Sequence, residues 1–375
     1  MPPAFSSTKE AAAFALLLLF LLAAPWLAHL TFLPHREQTY SSQSIRWEKF
    51  PWVQKFITEE TNDIDIAFIG SSRIGADIET PYVQQKLEEK LGRKAVVRTL
   101  WFANSGFDAL YFLTKELLAH RHVKTLVFYD EFSAAYTWKV HKYAPYWFRY
   151  GDDGKVLAGL PLGIQTVYYY AAMIGMPRNF LELVSTNFPI EPDSQMTGPF
   201  WWWQAANPET TLGCLGAHLG FDPVSPNSDF QNTNFTPYVP QNEVTPAELC
   251  VFSPATAANF VFSERTAPAG QIYFARQFGL LAKTHGCNLV ALHMPLIGET
   301  TSPVIDESRD WSDLMQTDVC LMGIPGRRLF AGLAEPEIKK LFADPGHFNE
   351  NGQKYFTPLI TPGLLTLYES HSTSH

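Results

Sequence analysis

The chain has few cysteines, little charge for its length and no cluster of basic residues. Its 375 residues include four cysteines, and none of them forms a CxxC pair. This spacing excludes the usual zinc motifs and the dense framework of a disulfide-rich mini-protein. Cys214 and Cys250 could pair in an oxidising compartment, and four buried thiols are the alternative.

Charged residues make up 17% of the sequence, and the formal net charge is -9. No run of Lys or Arg is present that would follow a phosphate backbone. Nucleic acid is therefore not an expected partner. The hydrophobic content of 46% is that of an ordinary globular protein, and the length suits one large domain with insertions or two smaller ones.

The longest apolar stretch lies near the N-terminus, over Ala11–Leu33. It is long enough to cross a bilayer as a helix, which needs roughly 20 apolar residues. A cleaved secretory signal over Ala11–Ala24 is the alternative, with Leu16–Leu22 as its apolar centre. Because apolar residues continue past Ala24, the uncleaved anchor is favoured. Both interpretations place the rest of the chain outside the cytoplasm, either in the periplasm or at the cell surface, or secreted if the signal is cleaved.

Beyond this segment, short apolar runs alternate with helical patterns. The runs that predict strands are Ile64–Ile69, Ala95–Phe102, Lys124–Tyr129 and Asn288–Met294. The patterns that predict helices are Tyr82–Leu91, Phe107–Ala119, Gln271–His285, a short helix from Pro336 and a final helix after His347. Such alternation predicts an α/β fold with an open, mostly parallel sheet in three layers. In such sheets, functional residues gather at the carboxyl ends of the strands.

Residues 150–265 break the alternation with many Pro and Asn residues and one candidate helix, Thr166–Met176. We expect a cap over the strand ends, because a structureless insertion of this length is unusual in a compact domain. Its aromatic cluster, Trp201, Trp202 and Trp203, could contact sugar rings or an acyl group, or could form the small core of the insertion. The expected organisation is 1–35 as cytoplasmic stub and anchor, 36–149 as the first part of the α/β domain, 150–265 as the cap and 266–375 as the second part.

Three residues far apart in sequence suggest nucleophilic catalysis. Asp344 and His347 are separated by Pro345-Gly346, a turn dipeptide that lets the carboxylate reach the imidazole Nδ1. Nε2 can then accept the proton of a serine elsewhere, which activates that serine as a nucleophile. Ser72 suits this role because it follows a buried strand, where amide N–H groups can face an oxyanion. In isolation, Asp-x-x-His also fits a solvated turn or the N-cap of the next helix.

The order of these residues resembles the sequence blocks of the SGNH (GDSL-like) hydrolase family. Gly70-Ser71-Ser72 matches the first block, with Ser71 in place of the family's Asp, and the segment DPGH matches the last. The resemblance implies a flavodoxin-like α/β fold in which Ser72 is the nucleophile, His347 the base and Asp344 its orienting partner. It also implies that the N–H groups of Ser72 and Gly106 form the oxyanion hole.

The third block departs from the family pattern. Asp130 and Glu131 follow the third predicted strand, where the family has an asparagine that donates to the oxyanion. Because a carboxylate would repel an oxyanion, either both side chains turn away or Asn104 supplies the missing donor. Further candidates for substrate contacts are Arg73 and His293, together with Asp130 and Glu131. Arg73 could instead pair with a nearby acid, and His293 could be a core histidine.

The GSSR block, the altered third block and the N-terminal anchor look most like one branch of the family. Its members are bacterial envelope proteins related to the alginate O-acetylation and D-alanine-transfer proteins. That resemblance implies an esterase or O-acyltransferase for extracytoplasmic carbohydrate esters, with a membrane-bound O-acyltransferase as partner and no cofactor or metal. The alternatives are a non-catalytic envelope module that binds glycan or the acyltransferase, and a secreted lipase or esterase.

Overall fold

The computed structural model describes residues 5–27, 55–101, 106–129, 153–169, 237–238, 268–300, 311–324 and 326–370. Contacts between Cα atoms divide the chain into two compact units. The first unit comprises Met1–Ser44 and Val140–Met196, and the second comprises Ile45–Lys139 and Thr197–His375. Every candidate site residue that the structure describes falls within the second unit.

The first unit contains helices α1 (Thr8–Leu27), α5 (Asp153–Leu157) and α6 (162–169). The side chains of Leu16–Leu19 on α1 are exposed. Among the described residues, no helix is long and apolar enough to span a bilayer. Residues 28–33 of the predicted anchor lie outside the described residues, as does the part of the predicted helix Thr166–Met176 beyond residue 169.

The second unit is built on a five-stranded sheet in which every pair of neighbouring strands is parallel. Its strands are β1 (Ile64–Gly70), β2 (Val97–Trp101), β3 (Val123–Tyr129), β4 (Asn288–His293) and β5 (Val319–Gly323). Their order is β2-β1-β3-β4-β5, so the direction of winding reverses between β1 and β3. The mostly parallel α/β sheet predicted from the sequence is confirmed, and ligands bind such sheets at this reversal point.

Helices cover both faces of this sheet, which explains why every residue of β1 is buried. The helices of the unit are α2 (Ser72–Asp77), α3 (Thr80–Leu91), α4 (Phe107–His120), α7 (Ala269–Thr284), α8 (Trp311–Met315), α9 (Gly326–Leu329), α10 (Glu335–Lys339) and α11 (Glu350–Ser370). Helix α3 ends at Gly92, whose left-handed φ of 63° suits the glycine predicted there.

Two separate cores hold the helices to the sheet. On one face, Ile66, Phe68 and Val127 pack with side chains of α3 and α11 in a continuous buried cluster. On the other face, the rings of Phe128 in β3, Phe107 in α4 and Trp311 in α8 lie with centroids 5.4–5.8 Å apart. The result is a three-layer arrangement, because one alternating set of strand side chains faces each helical layer.

A small antiparallel hairpin lies between α10 and α11 in the chain. It pairs β6 (Phe342–Asp344) with β7 (His347–Phe348) through the turn Pro345-Gly346. Phe348 is fully buried in the same core as α3 and α11, and its ring lies 5.4 Å from that of Phe356. This packing anchors the hairpin to the domain.

Candidate active site

Ser72 lies where β1 ends and α2 begins. Ser71 caps the helix in an extended conformation, and its hydroxyl accepts a hydrogen bond from the Arg73 amide at 3.3 Å. Ser72 is therefore the first residue of α2, at the carboxyl end of a buried strand. Gly70 is required just before it, because a Cβ there would lie 2.4 Å from the Ile74 side chain. The tight strand-to-helix turn holds the Ser72 hydroxyl at the edge of the sheet.

The β6–β7 hairpin holds the carboxylate of Asp344 and the imidazole of His347 together. The two residues are paired across the hairpin. The Oδ1 atom of Asp344 accepts the amide N–H groups of Gly346 at 2.8 Å and His347 at 3.0 Å. Both carboxylate oxygens also lie within 2.9 Å of His347 Nδ1. The backbone of the turn therefore orients the carboxylate, and the carboxylate orients the ring.

The fold brings Ser72 to the other nitrogen of this imidazole, although the two residues are 275 positions apart. Ser72 Oγ lies 2.8 Å from His347 Nε2. Because the carboxylate of Asp344 can only accept, Nδ1 carries the proton and Nε2 accepts the hydrogen bond from the serine hydroxyl. Serine, histidine and aspartate thus form one continuous hydrogen-bonded chain with the geometry of a nucleophile, a base and an orienting acid.

The electrostatics of the pair favour a charged imidazolium beside a carboxylate. Burial disfavours the imidazolium, but the hydrogen bond to Asp344 and the charges of Asp77 and Asp344 outweigh it, so the pKa of His347 is raised. Burial also disfavours the Asp344 carboxylate, yet its bonds to His347 and to two amides hold its pKa below the ordinary value. The arrangement therefore stabilises a protonated histidine at this position.

The side chain of Arg73 does not extend into solvent beside the serine. It is buried, and its guanidinium donates a hydrogen bond to the backbone carbonyl of Met294, just after β4. Its charge also stabilises the carboxylate of Asp77 at the end of the same helix. The partners of Arg73 in the structure are thus the backbone carbonyl of Met294 and, through its charge, the nearby acid Asp77.

His293 lies at the carboxyl end of β4 and forms a second histidine–carboxylate pair. Its Nε2 atom lies 2.9 Å from Oε1 of Glu299, and that carboxylate also accepts the amides of Gly326 at 2.7 Å and Leu296 at 3.2 Å. Both side chains of the pair are partly buried. Glu299 was not among the residues singled out in the sequence.

Gly106 precedes the first residue of α4, in an extended conformation. A Cβ at this position would lie 2.5 Å from Oε1 of Gln271, which accepts the amide N–H of Phe107. The absence of a side chain at Gly106 therefore lets Gln271 approach the start of α4. This contact gives the glycine a packing role in addition to the role that the family resemblance implies.

The other candidates lie outside the described residues: Asn104, Asp130, Glu131, Trp201, Trp202 and Trp203, and likewise Cys214 and Cys250. In the part of the chain that is described, no group of three His, Cys, Asp or Glu side chains could hold a metal ion.

Sequence reasoning also missed Asp77, the last residue of α2, which is 1% exposed. Its Oδ1 atom accepts the amide N–H of Phe348 at 2.8 Å, directly after His347 in the chain. Its Oδ2 atom has no hydrogen-bond partner among the described residues. The only sequence signal was a lone acid in the otherwise apolar segment Ile74–Ile78.

Comparison of the chain with protein-family models, with curated proteins and with solved structures gave no match. The functional interpretation therefore depends on the geometry of the site and on the chemistry of its residues.

Proposed function

We propose that the protein is a serine-dependent acyl ester hydrolase or O-acyltransferase of the SGNH type. The observation that carries the proposal is the chain of contacts from Ser72 Oγ to His347 Nε2 at 2.8 Å and from His347 Nδ1 to Asp344 at 2.8 Å. A structural hydrogen bond could account for either contact alone. Their combination at the carboxyl end of a parallel sheet is what activates a serine.

In the proposed reaction, Ser72 Oγ attacks the carbonyl carbon of an ester while its proton passes to Nε2 of His347. The tetrahedral intermediate collapses when His347 returns that proton to the leaving alkoxide, which leaves an acyl group on Ser72. Water or a sugar hydroxyl then attacks the acyl-enzyme, with His347 again as base. Asp344 holds the imidazole in the required tautomer throughout.

The negative charge that develops on the carbonyl oxygen requires hydrogen-bond donors. We assign this role to the amide N–H groups of Ser72 and Gly106, with the side chain of Asn104 as a third donor. The position of Ser72 as the first residue of α2 supports its part, because the amide of a first helical residue has no partner within the helix. Each such donor contributes on the order of a hundredfold to turnover.

The proposed substrate is an acylated carbohydrate of the cell envelope, and a membrane-bound O-acyltransferase is the proposed partner. Both follow from the family resemblance of the GSSR and DPGH blocks. The apolar stretch Ala11–Leu33 supports a location outside the cytoplasm. Protease treatment of spheroplasts before and after lysis tests the location, since a cytoplasmic catalytic domain would be cleaved only after lysis.

Labelling with a fluorophosphonate tests the proposed reaction directly. We expect the full-length protein to form a covalent adduct that mass spectrometry maps to Ser72. The Ser72→Ala and His347→Ala variants should not form it, while Ser71→Ala, which changes the neighbouring hydroxyl, should still be labelled at Ser72. Absence of labelling in folded protein, over a series of probes from small to large, would favour a non-catalytic module that binds glycan.

Turnover of acetylated sugars would then separate a hydrolase from a transferase. Release of free acetate identifies water as the second nucleophile, whereas transfer of acetyl to an added oligosaccharide identifies a sugar hydroxyl.

A further inference from the structure

The hydrogen bonds around the β6–β7 hairpin connect it to the helix that begins at Ser72. Helix α2 is only six residues long, and it carries Ser72 at its first position and Asp77 at its last. The carboxylate of Asp77 accepts the amide of Phe348 at 2.8 Å. One short helix therefore supplies both the serine that contacts His347 and the acceptor for the next residue along the hairpin.

A second contact holds the other side of the hairpin. The carbonyl of Pro345 accepts the amide N–H of Ile297 at 3.2 Å. That segment follows Met294, whose carbonyl accepts the buried guanidinium of Arg73. Of the two charged side chains of α2, Asp77 thus contacts the hairpin directly. Arg73 is connected to it through the segment that runs from Met294 to Ile297.

Asp77 is an unusual choice for a purely structural acceptor. It is almost completely buried, and one of its two carboxylate oxygens lacks a hydrogen-bond partner among the described residues. Burial of an unsatisfied polar atom costs about 1–3 kcal/mol, and a neutral acceptor could bond the Phe348 amide without an ionisable group. An ionisable group thus lies directly behind the β6–β7 hairpin, where a change in its charge can act on the neighbouring residues.

We propose that Asp77 is a positioning residue for His347. It fixes the β6–β7 hairpin against the helix of the nucleophile, and its charge favours the protonated form of the imidazole. This inference rests on the proposed function, since it assigns a role beside the Ser72–His347–Asp344 triad.

The charges around Asp77 support this role. Burial raises the pKa of Asp77 to about 7, and the nearby charges of Arg73 and His347 oppose that increase, while that of Asp344 adds to it. The interaction is reciprocal, because the charge of Asp77 contributes to the raised pKa of His347. An ionised Asp77 would therefore stabilise the imidazolium that forms as Ser72 is deprotonated.

Two substitutions separate the hydrogen bond from the charge. Asp77→Asn keeps an oxygen that can accept the Phe348 amide but removes the negative charge, whereas Asp77→Ala removes both. Asp65→Asn is the matched control, because Asp65 is another buried carboxylate of this unit, bonded to Arg93 and Tyr368. All variants are compared with the full-length protein, and thermal unfolding confirms that each is folded.

The first measurement is the pH dependence of fluorophosphonate labelling of Ser72. Labelling requires neutral His347, so its rate should rise with pH through the pKa of that residue. In Asp77→Asn the midpoint should shift to lower pH by about half a unit to one unit. In Asp77→Ala the maximal rate should fall at least about tenfold, because the hairpin loses its acceptor. Asp65→Asn should leave both quantities unchanged.

The second measurement does not depend on catalysis. The imidazole of His347 is titrated by NMR in protein with isotope-labelled histidine, with its resonance assigned through His347→Gln. The proposal predicts a lower pKa of His347 in Asp77→Asn than in the unchanged protein, whether or not Ser72 reacts with the probe. If Asp77→Ala fails to fold, the titration and labelling of Asp77→Asn still decide the question.

An unchanged pKa of His347 and an unchanged labelling profile in folded Asp77→Asn would overturn the proposal and leave Asp77 with a structural role. Failure of the proposed function gives a different result, in which the unchanged protein itself is not labelled. In that case a shifted pKa of His347 would still establish the coupling between Asp77 and the hairpin.

Discussion

Two buried aspartates, Asp65 and Asp77, stand near opposite ends of the sheet and are satisfied in different ways. Each accepts one backbone amide at 2.8 Å, that of Val96 for Asp65 and that of Phe348 for Asp77. Asp65 in addition bonds the guanidinium of Arg93 at 2.6 Å and the hydroxyl of Tyr368 at 2.6 Å. At Asp77 the second oxygen has no such partner among the described residues.

The pKa values of the two carboxyl groups differ accordingly. Burial opposes ionisation at both, but the bonds from Arg93 and Tyr368 hold the pKa of Asp65 below its ordinary value. At Asp77 burial prevails and raises the pKa to about 7. At the amino end of the sheet, both carboxylate oxygens of Asp65 thus have hydrogen-bond partners. Near the carboxyl end, Asp77 has a pKa near neutral pH. Buried polar groups that lack a hydrogen-bond partner and have a shifted pKa, as Asp77 does, are often found at functional sites.

The largest expected effect is on reactivity at the carboxyl end. Asp344→Asn should reduce the labelling rate of Ser72 by about four orders of magnitude, because the amide no longer holds His347 in the tautomer that accepts the serine proton. The Asp344 side chain is 38% exposed, so the melting temperature should change little. Labelling kinetics and calorimetry on the same sample check both statements. A melting temperature that falls together with the rate would contradict this separation of reactivity from stability.

At the amino end of the sheet, we expect a substitution of Asp65 to change stability and not reactivity. Asp65→Ala should lower the free energy of unfolding by about 3 kcal/mol, since it removes four hydrogen bonds, two from Arg93 and one each from Val96 and Tyr368. The labelling rate of folded protein should remain unchanged. Urea denaturation measures the loss. An equal loss of labelling in folded Asp65→Ala would show that the two ends of the sheet are coupled.

The next smaller effect is on the pH dependence of stability, which should differ between Asp65 and Asp77. Because the folded pKa of Asp77 is raised from 3.8 to about 7, the native state holds a proton that the unfolded state releases. The stability that this bound proton on Asp77 contributes is fully present below pH 3.8 and is lost as the pH rises through about 7. Relative to Asp77→Asn, the unchanged protein should lose about 2 kcal/mol between pH 5.5 and 8.

The comparison of unfolding free energies at several pH values tests this sign. Asp65 has the opposite sign, since its lowered pKa contributes stability that is lost as pH falls. A difference between Asp77→Asn and the unchanged protein that stays constant with pH would contradict the raised pKa of Asp77.

The smallest effect is expected at Gly92, which ends α3. Gly92→Ala should cost about 1 kcal/mol, because its φ of 63° is strained for a residue with a Cβ, although no atom lies within 4 Å of that Cβ. The labelling rate should not change. Thermal unfolding provides the measurement, and a rise in stability would contradict a left-handed conformation at this glycine.

Much of the sheet could be predicted from local patterns. The runs that form β1 and β3 are apolar and rich in β-branched residues, and the run that forms β4 is apolar. Each is bounded by turn residues, so a strand buried on both faces was the natural interpretation. Strand β5, Val319–Gly323, is short and was not predicted. Its strand conformation comes from pairing with β4, which a local pattern does not reveal.

The residues of the candidate site divide in the same way. The turn Pro345-Gly346 and the strand end at Gly70 are local features, and they predicted where Asp344, His347 and Ser72 would stand in their own segments. The contacts of Arg73, Asp77 and Glu299 depend on atoms far away in the chain, at Met294, Phe348 and Gly326. No spacing in the sequence indicates those partners.

The sequence by itself determined the alternation of strands and helices, the glycine that ends α3 and the close pairing of Asp344 with His347. These features depend on backbone preferences and hydrophobic period within a few residues, which local sequence controls. Only the tertiary structure decided the strand order, the 2.8 Å contact between Ser72 and His347, and the burial of Asp77 behind them. Those depend on which distant segments pack together, because burial and hydrogen bonding across 271–275 residues are set by the whole core.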